Sequence, residues 1–586
     1  MVYSFSWVKT NLTSFLVGAA MLNLGGCSKE FLEITPNGEL DEMVLATYEG
    51  VDALLIGAYS MLDGVCFEFG WEAATSGWIY GSIRGVEANM GTDSGDSSPI
   101  PAIQNFAERA TNPYLNTKWR AIYESVSRCN QALSAAEAAK DLGNISMEEY
   151  LHLVRQARAL RGFYHFEAWR LWADMETGIY VPYADENSSP TQINNLEDIR
   201  DRIIEDLSEG TLLPSDMGQV GRFNRSVCQV FLAKAHMQMY RDFATALPLL
   251  TEVADKGTNP VGQKAGLEAL YGDIFDLENR NGTESIYTVQ YSVNDGSGGY
   301  NGGWGEVLNF PYRPDASPAG CCGFFQPTQD LVNSFRTNGE GLPFLESYNE
   351  GKVTNDQGLQ PDDPFLEYQG TLDPRLDWTV GRRGIPYWDW GEHTGSDWIR
   401  DQSYAGPYSP KKQVYKKSQE GIYTETGSWT NGFTANGYRM IRYADVLLLK
   451  AECEAESGTE DLGLGEVNAI RTRAANTSGF VTEADGVTPA ANYLMGNYGE
   501  NWGEVDPLTA IRFERKLELG MEGHRYYDLQ RWGMVLTELN RILSYEKTME
   551  WGSSLYGGAI VEEEDVNFPI PQRQIDLSHG SLVQNR

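Results

Sequence analysis

The sequence predicts a mainly α-helical fold in which a large loop-rich region separates two helical parts. Apolar residues recur at the three- and four-residue steps of a helix over residues 39–280 and 438–586. Residues 281–437 lack that spacing and are rich in Gly, Pro, Tyr and Trp. Loops of this composition lie on the surface and tend to hold binding groups, so we expect the ligand site in this region.

The helical spacing defines individual segments on both sides of the loop-rich region. Their predicted bounds are Glu42–Leu62, Tyr114–Ala139, Met147–Trp172, Leu196–Leu207, Arg225–Tyr240, Tyr438–Ser457, Leu464–Ala475, Leu508–Gly523 and Tyr526–Ser544. Such helix pairs suit a tetratricopeptide-like stack. No strict 34-residue repeat is visible, however, so periodicity alone does not establish a solenoid.

The segment Ile511–Trp532 is the most informative part of the chain. Its sequence, IRFERKLELGMEGHRYYDLQRW, combines aromatic residues with charges that can pair across one helical turn. From Leu529 onward the apolar side chains follow helical spacing and must be buried. They are Leu529, Trp532, Leu536, Leu539 and Leu543.

This segment resembles the C-terminal signature of the RagB/SusD family, surface lipoproteins of Bacteroidota that help capture nutrients, usually glycans, for an outer-membrane transporter. Further similar motifs occur in the family's order. They are Arg158–Tyr164 with Gly178–Pro182, Gly221–Phe223 with Ala233–Ala235, Arg442–Glu452 (RYADVLLLKAE), Asn468–Ala474, and Phe568–Pro571 with Gln584 and Asn585. These matches flank a poorly matched middle, Glu284–Gly437. The resemblance implies one SusD-like domain over residues 27–586, with a tetratricopeptide-like stack.

The N-terminus has the pattern of a lipoprotein signal peptide over residues 1–26. Lys9 precedes an interrupted apolar stretch, Leu12 to Leu24, which is too short to span a bilayer as a helix. Leu24-Gly25-Gly26-Cys27 has the form of a lipobox, so Cys27 is the predicted lipidation site. The alternatives are a plain secretory signal and an unprocessed, buried cysteine. With lipid on Cys27, acyl chains would attach the protein to the membrane.

Composition excludes some partners. The chain has 586 residues, 41% of them apolar, and a net charge of −36. Nucleic-acid binding needs clustered Lys and Arg, so we expect no nucleic-acid partner. The same charge argues against electrostatic adhesion to anionic membranes.

Two loops contain aromatic residues without helical spacing, and we predict the ligand site there. A flat indole or phenol face suits the C–H face of a sugar ring, while neighbouring polar groups satisfy its hydroxyls. In the family the glycan site is likewise an aromatic platform. The alternative for each ring is that it fills the core of the loop region. The candidates are Trp71, Trp78, Tyr80, Asn89, Asp93, Tyr300, Asn301, Trp304, Trp388, Trp390 and Trp398.

Metal, disulfide and catalytic signals are weak. Asp93 and Asp96 are candidate Ca²⁺ ligands, but their segment lacks the EF-hand ligand series, so we predict neither a cofactor nor a metal. The adjacent Cys321 and Cys322, together with Cys66, are candidates for a disulfide. The HExxH, GxSxG, Walker and GxGxxG signatures are all absent from the sequence, so we predict no enzyme.

These observations predict a glycan-binding lipoprotein of the outer membrane, exposed at the cell surface. It would deliver an oligosaccharide or polysaccharide to a SusC-type TonB-dependent transporter, as the family resemblance implies. A peptide-binding or other nutrient-binding member of the same family is the first alternative. A secreted glycosidase and a purely structural helical scaffold are the others, and the scaffold predicts that the loop aromatics are buried.

Overall fold

Helix pairs dominate both ends of the chain in the computed structural model, which describes residues 45–65, 70–188, 193–313, 317–427 and 429–586. The helices before the loop-rich region are α1 (Tyr48–Tyr59), α2 (Pro99–Gln104), α3 (Pro113–Asp141), α4 (Met147–Trp172), α5 (Arg200–Gly210), α6 (Arg225–Ala235) and α7 (Phe243–Lys256). Successive helices pack against each other, as α3 does on α4 and α4 on α5. The predicted mainly helical, tetratricopeptide-like fold is confirmed.

The second half of the chain adds short helices and then a C-terminal helical part. The short helices are α8 (Gln329–Ser334), α9 (Leu376–Thr379) and α10 (Gln402–Ala405). The later ones are α11 (Tyr443–Ser457), α12 (Leu464–Ala474), α13 (Pro507–Leu519), α14 (Arg525–Trp532), α15 (Val535–Glu546), α16 (Gly552–Tyr556) and α17 (Gln572–Leu577).

Helix ends follow local capping chemistry. The bounds predicted for α4, Met147–Trp172, are confirmed. Ser146 and Glu149 form a reciprocal capping box that fixes the start of this helix. The single helix predicted over Tyr526–Ser544 is wrong. It is divided into α14 and α15 at Gly533, which has φ of +68° and closes α14 in the left-handed conformation. Helix α7 was not predicted from the sequence, and it contains Pro248.

Eight short strands form four antiparallel pairs in the described residues. They are β1 (Ala88–Gly91), β2 (Ser285–Thr288), β3 (Phe324–Pro327), β4 (Val380–Gly381), β5 (Ser409–Pro410), β6 (Thr424–Glu425), β7 (Phe433–Thr434) and β8 (Arg439–Arg442). The pairs are β1 with β3, β2 with β8, β4 with β5, and β6 with β7. The helix predicted from Tyr438 therefore starts five residues later, because Arg439–Arg442 pairs with β2 and is buried.

A buried ionic network joins the loop-rich region to the C-terminal helices. Glu518 on α13 lies 2.9 Å from the Arg375 guanidinium, 3.1 Å from that of Arg442 and 2.6 Å from that of Arg473. Glu522 pairs with Arg442 and Lys412, both at 2.7 Å. Removing such charges from water is costly, and the multiple partners of each carboxylate offset that cost. The network fixes the loop-rich region on the helical part.

One hydrophobic cluster runs from Ala46 to Leu582 and includes side chains from both helical parts and from the loop-rich region. A second, smaller cluster lies within the loop-rich region around Tyr387 and Trp398. The expectation that this region is all surface loop is thus wrong for part of it. Throughout the ranges that the structure describes, helices long and apolar enough to cross a membrane are absent. The predicted signal peptide, Cys27 and Cys66 lie outside those ranges.

Candidate ligand-binding surface

Three separate segments bring aromatic rings together at the surface. Trp71, Tyr300, Trp304 and Trp429 form what we call the aromatic platform, and Phe433 lies beneath it. The rings of Trp71 and Trp304 are 6.2 Å apart and inclined by only 29°, while Trp429 stands at 83° to Trp71 with 6.3 Å between centroids. Tyr300 is 5.9 Å from Trp304. The platform is therefore a curved set of ring faces.

Exposure varies across the platform. Tyr300 is 63% exposed and Trp429 43% exposed, whereas Trp71 is half-buried and Trp304 is 9% exposed. Phe433 is buried and its ring centroid is 4.7 Å from that of Trp304. Trp304 and Phe433 thus support the outer rings, which are open to a ligand. Exposed large aromatic rings in one place are typical of a binding surface.

Local backbone features set these rings in place. A Cβ atom on Gly70 would lie 2.4 Å from the Cβ of Trp304, so only glycine allows the loop before Trp71 to approach the second segment. The Trp304 Nε1 donates to the carbonyl of Gly299 at 3.0 Å. Trp429 lies in the turn of the β6–β7 hairpin, which presents its ring beside the other two indoles.

Polar groups continue the surface on the Trp71 side. The Trp71 Nε1 donates to the Tyr114 hydroxyl at 3.1 Å, and that hydroxyl lies 2.8 Å from Ser97 Oγ. The backbone N–H of Ser97 donates to Asp96 Oδ1 at 3.0 Å. A continuous line of hydrogen bonds therefore connects the platform to Asp96.

Arg400 organises the far end of that line. Its guanidinium lies 2.7 Å from both Asp93 and Asp96, and it donates to Thr92 Oγ1 at 2.9 Å. The same group stands 5.2 Å from the centre of the Tyr312 ring. All three charged side chains are about one-third exposed. They can offer hydrogen bonds to hydroxyl groups of a ligand that extends beyond the platform.

Three candidates in the first predicted loop are buried, which contradicts their assignment as ligand contacts. Trp78, in a π-helical turn, packs edge-to-face on Phe324 and Phe325. The Tyr80 hydroxyl donates to the carbonyls of Glu72 and Tyr114.

Asn89, the third of these, is buried in β1. Its side-chain amide donates to the carbonyl of Ala405 at 3.0 Å, and its oxygen accepts from the Gly91 N–H at 2.8 Å. Asp93, by contrast, is partly exposed and belongs to the Arg400 cluster.

The tryptophans of the 385–398 segment form a separate group. Trp398 is buried against Tyr387 at 5.5 Å, so its assignment as a ligand contact is also contradicted. Trp388 and Trp390 are half-buried and pack on the second hydrophobic cluster. The Trp390 Nε1 donates to the Tyr415 carbonyl at 2.9 Å. Trp388 also packs on Trp378, with 5.1 Å between ring centroids, so both tryptophans make their contacts away from the aromatic platform.

Two carboxylates lie behind the platform, Glu306 buried and Asp63 partly buried. Burial raises the pKa of Glu306 to about 7. Burial likewise raises the pKa of Asp63 to about 7. Both groups interact electrostatically with Tyr291. Both carboxyl groups therefore titrate near neutrality.

The sequence analysis missed Trp429, Phe433, Tyr312 and Arg400. Trp429 had a usable signal, because it lies in the loop-type sequence Gly427-Ser-Trp-Thr-Asn-Gly432 without helical spacing. Arg400 had none, since its partners Asp93 and Asp96 are some 300 positions away in sequence.

Cysteine and metal predictions have different outcomes. Cys321 and Cys322 form a disulfide with each other, and Cys66 lies outside the described residues. Asp93 and Asp96, the candidate Ca²⁺ ligands, are both paired with Arg400. Over the described ranges, three or more His, Cys, Asp or Glu side chains nowhere converge in a metal-binding arrangement.

The fold and the platform together define a helical-repeat protein that presents an exposed aromatic surface on its loop-rich region. The chain belongs to the SusD family: a family model described as "SusD family" matches residues 283–586. A second, described as "Starch-binding associating with outer membrane", matches residues 84–237. The family match thus covers the middle region, in which the sequence motifs were poorly matched.

Individual relatives agree with this assignment. A SusD-like protein of Bacteroides ovatus is 23% identical over 567 residues, which cover 94% of this chain and 87% of the relative. The structure of a SusD superfamily protein from Bacteroides vulgatus has a TM-score of 0.65 at 18% identity, with 92% of this chain and 98% of the other covered. Surface glycan-binding protein A of Bacteroides thetaiotaomicron in complex with laminarihexaose gives 0.62 at 21% identity, with 92% and 99% covered.

Proposed function

We propose that this protein is a non-enzymatic, cell-surface glycan-binding lipoprotein that holds an oligosaccharide or polysaccharide on its aromatic platform. The observation that carries the proposal is the curved set of ring faces formed by Trp71, Tyr300, Trp304 and Trp429, with two of the rings strongly exposed. Sugar rings present C–H faces that stack on such surfaces. Each aromatic contact contributes about 0.5–1.5 kcal/mol beyond area burial.

The polar line from Tyr114 to Arg400 supports the same proposal. A glycan longer than the platform would meet hydroxyl, carboxylate and guanidinium groups, which are partners for sugar hydroxyls. The solved relative that holds laminarihexaose shows that this fold can carry a glucan-type oligosaccharide. Family membership supports delivery of the bound glycan to a SusC-type TonB-dependent transporter in the outer membrane, with the lipid on Cys27 as anchor.

The alternatives fit the site less well. A scaffold predicts buried loop aromatics, yet Tyr300 and Trp429 are exposed. A glycosidase needs a carboxylate pair that faces the sugar across a cleft, whereas Asp93 and Asp96 are both engaged by Arg400, and Asp295 and Glu425 at the platform edge accept hydrogen bonds from neighbouring groups. A peptide-binding member of the family would use deeper pockets with fewer exposed rings. We therefore favour glycan capture.

Isothermal calorimetry and affinity electrophoresis with a panel of soluble polysaccharides test the proposal. Trp71→Ala and Trp429→Ala should each weaken binding several-fold or more, because about 1.4 kcal/mol is tenfold in affinity. Trp390→Ala is the matched control, since this tryptophan is half-buried in the same loop-rich region but packs on Tyr415. Unchanged binding in both platform variants, or an equal loss in the control, would contradict the proposal.

Anchoring is tested separately. Cys27→Ser should shift the protein from the membrane fraction to the soluble fraction, or leave its signal uncleaved, because acylation needs the thiol. Unchanged fractionation and unchanged fatty-acid labelling would contradict the lipoprotein assignment. Co-purification of the wild-type protein with a TonB-dependent transporter would test the delivery step.

A further inference from the structure

The charged groups around the aromatic platform are mostly acidic. On the Tyr300 side, Asp295 is exposed and accepts hydrogen bonds from neutral groups: the Ser297 N–H at 2.9 Å, the Asn301 amide at 2.8 Å and the Ser292 hydroxyl. The hydrogen bonds from Ser292 and Asn301 hold the pKa of Asp295 well below its usual range. Asp295 therefore carries a full negative charge. Its hydrogen-bond partner Asn301 directly follows Tyr300 in the chain.

A second acid lies beside the Trp429 hairpin. Glu425 in β6 pairs directly with Phe433 in β7, and Phe433 is the ring on which Trp304 and Trp429 rest. The Glu425 carboxylate accepts from the Asn294 N–H at 2.8 Å and is half-exposed. Its charge thus lies at the edge of the ring faces.

Two cations near the platform, Arg400 and Lys118, do not offset these charges. Arg400 is shared between Asp93 and Asp96, so this cluster has a net charge of −1. Lys118 lies behind the Trp71 loop, where its ammonium is buried and donates to the carbonyls of Ala73 and Ala74.

The whole chain also has a net charge of −36. An anionic ligand would approach against the field of both the surface and the whole protein.

We infer that the platform is selective for glycans without carboxylate or sulfate groups, and that Asp295 and Glu425 are specificity-determining residues that exclude uronate-containing and sulfated polysaccharides. This inference rests on the proposed glycan-binding function and adds the class of ligand to it. Like charges that face each other across an interface suppress the wrong partner even where shape and stacking are suitable. Neutral glycans and amino-sugar polymers meet no such repulsion.

A glycan array that carries neutral, amino-sugar, uronate and sulfated glycans gives the first test, with wild-type protein at low and high salt. We expect the bound glycans to come from the neutral or amino-sugar groups. A uronate or sulfated glycan that binds more tightly at low salt than the neutral ones would overturn the inference while leaving glycan binding intact. Binding to no class of glycan would overturn the proposed function, and the inference with it.

A chemically matched pair gives the second test. The probes are hydroxyethyl cellulose and carboxymethyl cellulose, together with the strongest neutral ligand from the array and its C6-carboxylated derivative. For wild-type protein the carboxylated form should bind more weakly, and added salt should narrow the gap because the Debye length falls from about 30 Å at 0.01 M to about 10 Å at 0.1 M. No gap, or a gap that salt does not change, would contradict the inference.

Charge-removing variants assign the effect to residues. Asp295→Asn with Glu425→Gln should strengthen binding of the carboxylated derivative by roughly twofold per charge removed, the size expected for unit charges about 8 Å apart in water. The readout is the affinity for the carboxylated derivative relative to that for the neutral parent, so a change in binding that is common to both ligands cancels. Asp485→Asn is the matched control, because Asp485 is also exposed and accepts from neighbouring groups, Val487 and Thr488, in another loop. An equal gain in the control would mean that net charge, and not these two residues, sets the selectivity.

Discussion

The aromatic platform and the C-terminal segment 511–532 use the same residue types in opposite settings. Trp532 on α14 is 8% exposed, and its Nε1 donates to Glu452 at 3.0 Å, so both its ring and its N–H are satisfied inside the protein. Trp429 is 43% exposed and touches Trp71 and Trp304 along one side. A tryptophan count therefore does not separate core from site. The exposed fraction of each ring separates them.

The carboxylates of the two regions differ in the same way. Arginines that surround Glu518 and Glu522 lower the pKa of both carboxyl groups despite full burial. Behind the platform, burial outweighs the other interactions of Glu306 and Asp63 and raises the pKa of each to about 7. The first region stabilises its charges with other charges, whereas the second holds carboxylates that titrate near neutrality.

The largest expected effect is in the ionic network. Glu518→Ala leaves the guanidinium groups of Arg375, Arg442 and Arg473 without their shared partner. Removing one partner of a buried ion pair costs about 3–5 kcal/mol, and three pairs are lost here, so we expect the upper end of that range in urea denaturation. Glu563→Ala, at an exposed glutamate, is the control and should change stability by less than about 0.5 kcal/mol. Equal effects of the two variants would show that the network is solvated.

Trp532→Ala should destabilise the fold by roughly 3–5 kcal/mol, the usual range for truncation of a buried aromatic residue. The indole packs between the Arg512 and Arg525 guanidiniums, whose centres lie 5.4 and 5.8 Å from its ring. Thermal and urea unfolding measure the loss. Trp532→Phe keeps a ring but removes the donor to Glu452, so it should cost less than Trp532→Ala. A melting temperature within error of wild type for Trp532→Ala would mean that this face is not core.

The pH dependence of stability distinguishes the two sets of carboxylates. The pKa of Glu306 is about 7 in the folded protein against an ordinary value of 4.5. A raised pKa contributes stability below pH 4.5, and this contribution is lost as the pH rises through 7.

Glu306→Gln removes this titration, so the variant should gain stability relative to wild type between pH 5 and pH 8. The gain is at most about 3.5 kcal/mol, since each pKa unit corresponds to roughly 1.4 kcal/mol. Urea denaturation at several pH values measures it. The stability that Glu518 contributes should depend on pH in the opposite direction. The difference in the free energy of unfolding between wild type and Glu518→Ala should become smaller as the pH falls below 4. Parallel pH profiles for Glu306→Gln and wild type would contradict the assigned pKa.

Much of the fold could be predicted from the sequence because it depends on local periodicity. The spacing around Leu529 and Trp532 correctly placed a buried helical face, and the capping pair of Ser146 and Glu149 fixed the start of α4. The break at Gly533 was missed, because glycine inside a helical pattern is ambiguous until its φ is known.

The site could be predicted only in part. Trp71, Tyr300 and Trp304 were predicted as loop aromatics in two separate loops, and the structure brings their rings together, whereas Trp78 and Trp398 have the same local sequence character and are core. Exposure of a ring in a loop is decided by contacts with residues far away in sequence. Trp78 is covered by Phe324 and Phe325, and no local pattern shows this.

The smallest stability effect is expected at the outer edge of the platform. Trp429→Ala removes a ring that is 43% exposed, so the free energy of unfolding should change by less than about 0.5 kcal/mol, as for most surface substitutions. Trp304→Ala, at 9% exposure and against Phe433, should cost several times more. Urea denaturation of both variants, with intrinsic fluorescence and circular dichroism as independent probes, tests this gradient. If Trp429→Ala is destabilised as much as Trp304→Ala, the Trp429 ring is part of the core. The contrast between the buried Trp532 in segment 511–532 and the exposed Trp429 on the platform would then be wrong.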